Sequence, residues 1–247
     1  MEEKINSIAR ILNIFNEVTP LNEAEQCLSV WSRFFELDSQ DQIKNSIHVS
    51  NLLSQIHFEL EIAREQMKKT SFPENMYDSA FNCIENAISP LLIAQQWTHV
   101  KQHLRPEVFT ALNFCCHILP DEESEISEED IQAIQQKLDE LRAALDETFV
   151  SVRLQALIEN QIKLIEKALA EYRIKGAKAL RSASHQAMGE IIEAKDEIAS
   201  DQNSPVIGKL IEVWTKVVTV ADTAQKIEKV YKLGNTVWEI ISPMLGK

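Results

Sequence analysis

Histidine and cysteine, the commonest nitrogen and sulfur ligands of protein-bound zinc, occur close together in one part of the chain. His99 and His103 are four residues apart in WTHVKQH, so a helix there would place both imidazoles on one face. Cys115, Cys116 and His117 follow shortly after and offer a third ligand. No HExxH motif accompanies them. The alternative interpretation is that the histidines are solvated and that the cysteines pack as small apolar side chains. His99 and His103 are therefore weak metal-site candidates, and no cofactor is expected.

An arginine and a histidine lie close together in RSASH, from Arg181 to His185. This stretch resembles the Arg-x4–6-His motif of HEPN-type ribonucleases, which are also all-α and build one active site from two copies. The resemblance implies RNA cleavage, with Arg181 and His185 as catalytic residues. Only three residues separate the two side chains here, so the motif is not matched, and the likeness covers almost none of the chain. The pair is a weak catalytic candidate, and a non-enzymatic protein is the favoured interpretation.

The cations Arg173, Lys175, Lys178 and Arg181 form a cluster in an otherwise acidic chain. The last three follow one another at intervals of three residues, so a helix would carry them on roughly one side. Two interpretations stay open, a solvated face that balances acidic segments of the same molecule and a docking patch for an acidic partner. Gly176 lies within the cluster and is expected to mark a helix end or a bend.

Composition and charge define the broad class of protein. Hydrophobic residues make up 45% and charged residues 26% of the 247 positions, which is ordinary for a folded soluble protein. The net charge of −13 disfavours nucleic acid as a partner, because phosphate binding needs clustered cations. Four cysteines make no disulfide framework, so a cytoplasmic location is expected. The N-terminus does not resemble a secretory signal, and without a run of about 20 apolar residues no membrane-spanning helix is predicted.

Glycine usage is the clearest indicator of the fold. All five glycines lie beyond residue 175, whereas seven prolines are spread along the whole chain. Sheet-containing folds need glycine in their turns and phosphate loops, but helices can be separated by prolines and polar caps. We therefore predict an all-α fold, an elongated assembly of about 8–10 helices with long antiparallel helical hairpins.

The apolar periodicity predicts where the helices begin and end. The expected ranges are 3–18, 21–37, 39 or 41 to 69, 74–102 with a kink or a division at Pro90, 106–119, 128–148, 151–172, 177–199 and about 205–233. In the third helix the buried stripe is expected to start with Ile43 and Ile47 and to end at Met67.

An acidic segment divides the chain into two predicted lobes. Residues 120–147 carry eleven acids and two bases, most of the negative charge of the protein. We expect an N-terminal helical lobe at 1–119, an acidic linker at 120–127 and a C-terminal helical lobe at 128–247. The sequence leaves open whether the two lobes share one core.

The helix expected at about 205–233 has apolar residues at heptad spacing. The seam consists of Leu210, Val213, Val217, Val220, Ala224, Ile227 and Tyr231. Three interpretations stay open: a core helix, an oligomerisation or partner-docking helix, and a segment that becomes membrane-active. If the segment docks, its aromatic residues Trp214, Tyr231 and Trp238 are the expected anchors.

These observations favour a non-enzymatic, cytoplasmic helical interaction or assembly module. It would self-associate or bind a protein partner through its C-terminal helices and the basic residues 173–181. The alternative is a helical effector of a bacterial toxin or defence system that acts on RNA or membranes. The segment 157–180 resembles stretches of bacterial helical proteins, a likeness that implies no function.

Overall fold

The computed structural model describes residues 5–37, 41–124, 126–200 and 204–224. Over these ranges the chain is all-α, which confirms the fold class predicted from the sequence. The described residues form eleven α-helices, two short 3-10 turns and an isolated antiparallel bridge between Gln26 and Gln96. None of the described helices is both long enough and apolar enough to cross a membrane.

The chain divides into two compact units. Unit 1 comprises Met1–Glu122 and Arg173–Lys175, and unit 2 comprises Glu123–Tyr172 and Gly176–Lys247. Each unit has a hydrophobic core of its own among the described residues.

Unit 1 is arranged around its first helix. Its helices are α1 (Ser7–Val18), α2 (Cys27–Phe34), α3 (Gln42–Lys68), α4 (Asp78–Ala87), α5 (Thr98–Lys101) and α6 (Pro106–Ile118). The side chain of Asn6 caps α1 by accepting a hydrogen bond from the backbone N–H of Ala9. α1 is buried over most of its circumference because α3 and α6 both pack against it.

The buried face of α3 differs from the one predicted. Its core stripe consists of Val49, Leu52, Leu53, Ile56, Leu60, Ala63 and Met67, which keep a continuous three–four spacing. Ile43 and Ile47 do not belong to it and are 76% and 56% exposed. The prediction was wrong there because apolar residues occupy two faces of this helix, and only tertiary packing selects one of them.

The break expected at Pro90 is present and divides the range 74–102. Pro90 starts a 3-10 turn (Pro90–Leu92), and α5 ends at Lys101. The helices expected at 3–18 and 21–37 start later than predicted, and α1 begins at Ser7. α2 begins at Cys27 instead of residue 21 because the backbone before it bonds to a distant segment. The N–H groups of Trp97 and Thr98 donate to the carbonyl oxygens of Glu25 and Glu23.

Unit 2 is built from long helices. They are α7 (Glu128–Glu147), α8 (Val152–Lys175), α9 (Ala177–Glu193), the short α10 (Lys195–Ser200) and α11 (Pro205–Thr223). The last three residues of α8 belong to unit 1. Ser127 and Ser151 cap α7 and α8 by accepting hydrogen bonds from Asp130 N and Leu154 N.

α11 lies in the interior of unit 2, where it packs against α7 and α9. On α9 the small side chains of Ala183, Ser184 and Ala187 are buried, which allows α11 to approach closely. No atom lies within 4 Å of a Cβ built at Gly189, so that glycine faces open space.

Candidate interaction surfaces

Gly176 is the junction between α8 and α9, as expected from the sequence. Its φ of 63° and ψ of −151° are accessible essentially only to glycine. A Cβ built here would lie 1.7 Å from Oε1 of Glu123. This carboxylate is buried, and its Oε2 accepts a hydrogen bond of 2.8 Å from Ala177 N at the start of α9. The junction therefore depends on the absence of a side chain at residue 176.

Two of the cations predicted to form a docking patch, Arg173 and Arg181, have partners inside their own units. In unit 1 the Arg173 guanidinium donates to the Phe34 carbonyl at 3.3 Å, lies 5.0 Å from the Phe34 ring centroid and pairs with Glu17 at 3.6 Å. Neither Lys175 nor Lys178 is without a partner. The basic docking patch stays a prediction, and the internal contacts of Arg173 favour a structural role for that residue.

The weak catalytic candidates lie one turn apart on α9. Arg181 Nη1 donates to the Ala221 carbonyl of α11 at 3.4 Å, so this side chain reaches towards the neighbouring helix. His185 is exposed, and the structure gives it no hydrogen bond or ion pair with a described residue. The tertiary structure thus adds no third catalytic group to the pair within the described ranges.

The weak metal candidates do not share a helix face. α5 ends at Lys101, so His103 lies in the turn after it, and Nδ1 of His99 is 3.2 Å from the Gln96 carbonyl oxygen. Burial, with a smaller effect of the Arg105 charge, lowers the pKa of His103. No cluster of three or more His, Cys, Asp or Glu side chains suited to a metal ion occurs among the described residues.

The adjacent cysteines of α6 are packed as apolar side chains. Cys115 and Cys116 are both buried and free of disulfides. Burial raises the pKa of the Cys115 thiol to about 12, so it stays protonated at neutral pH and is a poor ligand or nucleophile. Cys27 behaves in the same way, with burial raising its pKa to about 11.

The predicted docking anchors fall into two groups. Trp214 is 2% exposed in the core of unit 2, where α11 also buries Leu210, Val213 and Val217 of the heptad seam. A side chain buried in this way offers no surface to a partner. Tyr231 and Trp238 lie outside the described residues, so their role as anchors stays a prediction.

Lysines of α11 balance part of the acidic charge of α7. Lys209 Nζ lies 2.8 Å from Glu140 Oε2 and 3.1 Å from Glu212 Oε2, and Lys137 also pairs with both carboxylates. Further along, Lys216 pairs with Asp130 at 2.7 Å. Hydrogen bonds from Lys209 and then Lys137 lower the pKa of Glu140 to about 2.

This ion-pair cluster predicts a pH dependence for unit 2. Because the folded state lowers the pKa of Glu140 from 4.5 to about 2, its contribution to stability is complete above pH 4.5 and is lost as the pH falls towards 2. We expect the Glu140→Gln variant to have a lower urea midpoint than wild type at pH 7. Between pH 4.5 and 2, the variant should lose less stability than wild type does. Circular dichroism during urea unfolding measures both.

Glu159→Gln is the matched control for this prediction, since Glu159 is exposed and forms no ion pair with the described residues. The two variants should differ at pH 7 and converge near pH 2. Equal urea midpoints for Glu140→Gln and Glu159→Gln at every pH would refute the role of the cluster.

A buried polar cluster in unit 1 combines residue types that could perform catalysis. Ser7 Oγ lies 2.9 Å from Glu59 Oε2 and 2.8 Å from Glu122 Oε1. Arg10 Nη2 lies 2.6 Å from Glu122 Oε2 and 3.5 Å from Glu59 Oε2, and Arg10 Nε donates to the Ile174 carbonyl at 2.9 Å. Ser7 is 0% and Glu59 1% exposed, so a substrate has no access to the hydroxyl in this conformation.

This cluster is not among the sequence-based predictions, although the sequence contains a signal for it. Arg10 interrupts the apolar run of α1, and Glu59 lies next to the core stripe of α3. A charge inside an apolar stripe indicates a buried partner, because an isolated buried charge is costly. The partners themselves could not be identified, since Glu59 and Glu122 are far from Arg10 in sequence.

The loop between α7 and α8 presents apolar side chains to solvent. Phe149 is 101% and Val152 84% exposed, whereas Val150 and Leu154 are buried in the core of unit 2. We call residues 145–152 the α7–α8 tip. With Gln155 and Glu159 the tip lines an open groove of about 760 Å³, which includes the exposed acids Asp146 and Glu147.

Comparison of the chain with protein-family models, with curated proteins and with solved structures finds no match. The functional argument therefore depends on the surfaces described above.

Proposed function

We propose that the chain is a non-enzymatic helical interaction module that binds a protein partner through the α7–α8 tip. The observation that carries this proposal is the fully exposed side chain of Phe149. Aromatic side chains dominate interface energies, because each buries a large area at a small cost in conformational entropy. A partner that covers Phe149 would gain this burial without disturbing the core of unit 2.

The local structure holds the tip in one arrangement. Val150 and Leu154 anchor the loop in the core, and Ser151 Oγ accepts a hydrogen bond of 3.2 Å from Leu154 N. The flanking residues Thr148 and Ser151 have extended backbone, and between them Val150 is buried while Phe149 is exposed. A preorganised surface binds with a smaller entropy loss than a loop that must fold on contact.

The tip replaces α11 as the docking surface that we propose. The described part of α11 fills the core of unit 2 with Trp214 and its apolar neighbours. Docking through these residues would require unit 2 to open, at the cost of most of its buried contacts. Docking through Phe149 and Val152 requires no such rearrangement.

The test is the pair of substitutions Phe149→Ser and Leu91→Ser. Leu91 is a matched control because it is also highly exposed, at 84%, but lies in a 3-10 turn of unit 1. Both variants should keep the wild-type thermal unfolding midpoint, since neither side chain is buried. We expect Phe149→Ser to weaken partner binding at least about tenfold, a loss typical of an aromatic hot spot, and Leu91→Ser to leave it unchanged.

Binding is measured by capturing partners from native-cell lysate and by sedimentation with lipid vesicles. Equal protein capture by wild type and Phe149→Ser would contradict the proposal. Sedimentation of wild type, but not of Phe149→Ser, with vesicles in the absence of any other protein would support the membrane-acting alternative instead.

A further inference from the structure

The end of α7 has an unusual accumulation of negative charge. Asp146 and Glu147 lie in the last turn, which contains no basic residue. The helix dipole makes this end negative, so carboxylates here are unfavourable. By contrast, the last turn of α8 carries Arg173 and Lys175, the arrangement that helices normally favour.

The described residues do not compensate for this charge. Neither Asp146 nor Glu147 forms an ion pair with a described residue, and no described N–H outside the helix caps the last carbonyls of α7. Arg142, the cation nearest in sequence, pairs with Asp139 and Glu166. Arg153, on the other side, lies 3.3 Å from Glu197 on α10. The last turn of α7 therefore presents two carboxylates and a negative dipole to the groove beside Phe149.

The acidic residues in the first turn of α7 lie where the helix dipole favours them, unlike those in its last turn. Glu128, Glu129 and Asp130 occupy its first turn, where the dipole favours negative charge, and Asp130 also pairs with Lys216. These residues stabilise the helix in the isolated chain. Asp146 and Glu147 break the same rule at the position where Phe149 and Val152 are exposed, and such local conflicts concentrate at functional sites.

We infer that the partner bound at the α7–α8 tip is a basic, amphipathic protein segment. Its apolar residues would cover Phe149 and Val152. Its lysine or arginine side chains would pair with Asp146 and Glu147 and donate hydrogen bonds to the last carbonyls of α7. The inference depends on the proposed function, because it specifies the partner of the same surface. The negative tip would repel anionic lipid, which favours a basic peptide over such a membrane.

Synthetic peptides test this inference directly. Three helical peptides of about 18 residues, or five turns, share one leucine–alanine face and carry arginine, glutamine or glutamate on the other face. Their binding to the full chain is measured by fluorescence anisotropy. We expect the arginine peptide to bind at least tenfold more tightly than the glutamine peptide, with the preference shrinking as salt screens the charges.

Two double variants separate tip charge from total charge. Asp146→Asn with Glu147→Gln should abolish the preference for the arginine peptide. Glu128→Gln with Glu129→Gln removes the same charge from the opposite end of α7 and should keep the preference. Phe149→Ser should weaken the binding of all three peptides.

The outcomes distinguish the inference from the proposed function. If the arginine and glutamine peptides bind wild type equally, or both double variants lose the preference equally, the inference is wrong, while apolar docking at Phe149 still stands. If no peptide binds the wild-type chain more tightly than it binds the Phe149→Ser variant, the inference is wrong. The proposed function then depends on the lysate experiment alone.

Discussion

Replacing Arg10 with alanine is expected to destabilise unit 1 by about 3–5 kcal/mol, the cost typical of breaking a buried ion pair. The Arg10 side chain is 9% exposed and lies between the carboxylates of Glu59 and Glu122. Ser7 has a single hydroxyl proton and can donate to only one of them at a time. The guanidinium therefore supplies charge and hydrogen bonds that the remaining groups cannot replace.

The Arg10 substitution also removes a hydrogen bond to a segment that is distant in sequence. Arg10 Nε donates to the Ile174 carbonyl, which belongs to the segment Arg173–Lys175 of unit 1. Arg10→Lys keeps the charge but loses the planar arrangement of donors. We therefore expect the stability of this variant to lie between those of wild type and Arg10→Ala.

Urea unfolding of the full chain measures the effect. Tryptophan fluorescence follows unit 1 in a Trp214→Phe, Trp238→Phe background, because the two remaining tryptophans, Trp31 and Trp97, lie in its core whereas Trp214 lies in the core of unit 2. Arg33→Ala is the control, since Arg33 forms a partly exposed pair with Glu25 and should cost less than about 1 kcal/mol. If Arg10→Ala lowers the free energy of unfolding no more than Arg33→Ala does, the buried cluster contributes little to stability.

Replacing Gly176 with alanine is the second large expected effect, a loss of roughly 2.5–6 kcal/mol of stability in unit 2. Strained backbone at a non-glycine residue costs about 1–3 kcal/mol, and a displaced charged hydrogen bond costs about 1.5–3 kcal/mol. The new Cβ would overlap Oε1 of Glu123, so the carboxylate must move. Glu123 is 4% exposed, and such a shift breaks its hydrogen bond to Ala177 N.

Gly189→Ala is a matched control on the same helix. It lies inside α9 with open space around it, so alanine should stabilise the helix by about 0.5–1 kcal/mol. Adding Glu123→Ala to Gly176→Ala removes the overlap, and the double variant should lose less than the sum of the two single losses. Thermal unfolding measures all four variants. A neutral Gly176→Ala would mean that the junction adopts another backbone conformation.

The placement of the cations illustrates how far sequence reasoning reaches. The stretch around Gly176 was interpreted as a helix junction, and the structure confirms this. For the basic residues beside it, the sequence leaves two interpretations open, a face that balances acidic segments and a docking patch for an acidic partner. Two acids of α7, Glu140 and Asp130, pair with Lys209 and Lys216 of α11, which lie 69 and 86 positions away. Net charge could be counted from the sequence, but not which charges meet.

The α7–α8 tip shows the same limit for the candidate site. Periodicity placed a boundary between helices at 148–151, and the structure has α7 ending at Glu147 and α8 starting at Val152. Phe149 and Val150 are adjacent apolar residues with similar propensities, and nothing local determines which of them enters the core. The contrast between 101% and 9% exposure arises only when the loop packs on unit 2.

Local chemistry by itself determined the all-α class and many helix ends. These ends depend on signals that act within a few residues and can be recognised in the sequence: prolines at 90, 106 and 205, glycine at 176 and the caps Asp41, Ser127 and Ser151. The cap Asn6 is an exception, since the first helix was expected to start at residue 3 and begins at Ser7. The tertiary structure alone decided which face of α3 is buried and which groups surround Arg10. Glu59 and Glu122 reach that guanidinium across 49 and 112 positions, because the distances depend on how the helices pack.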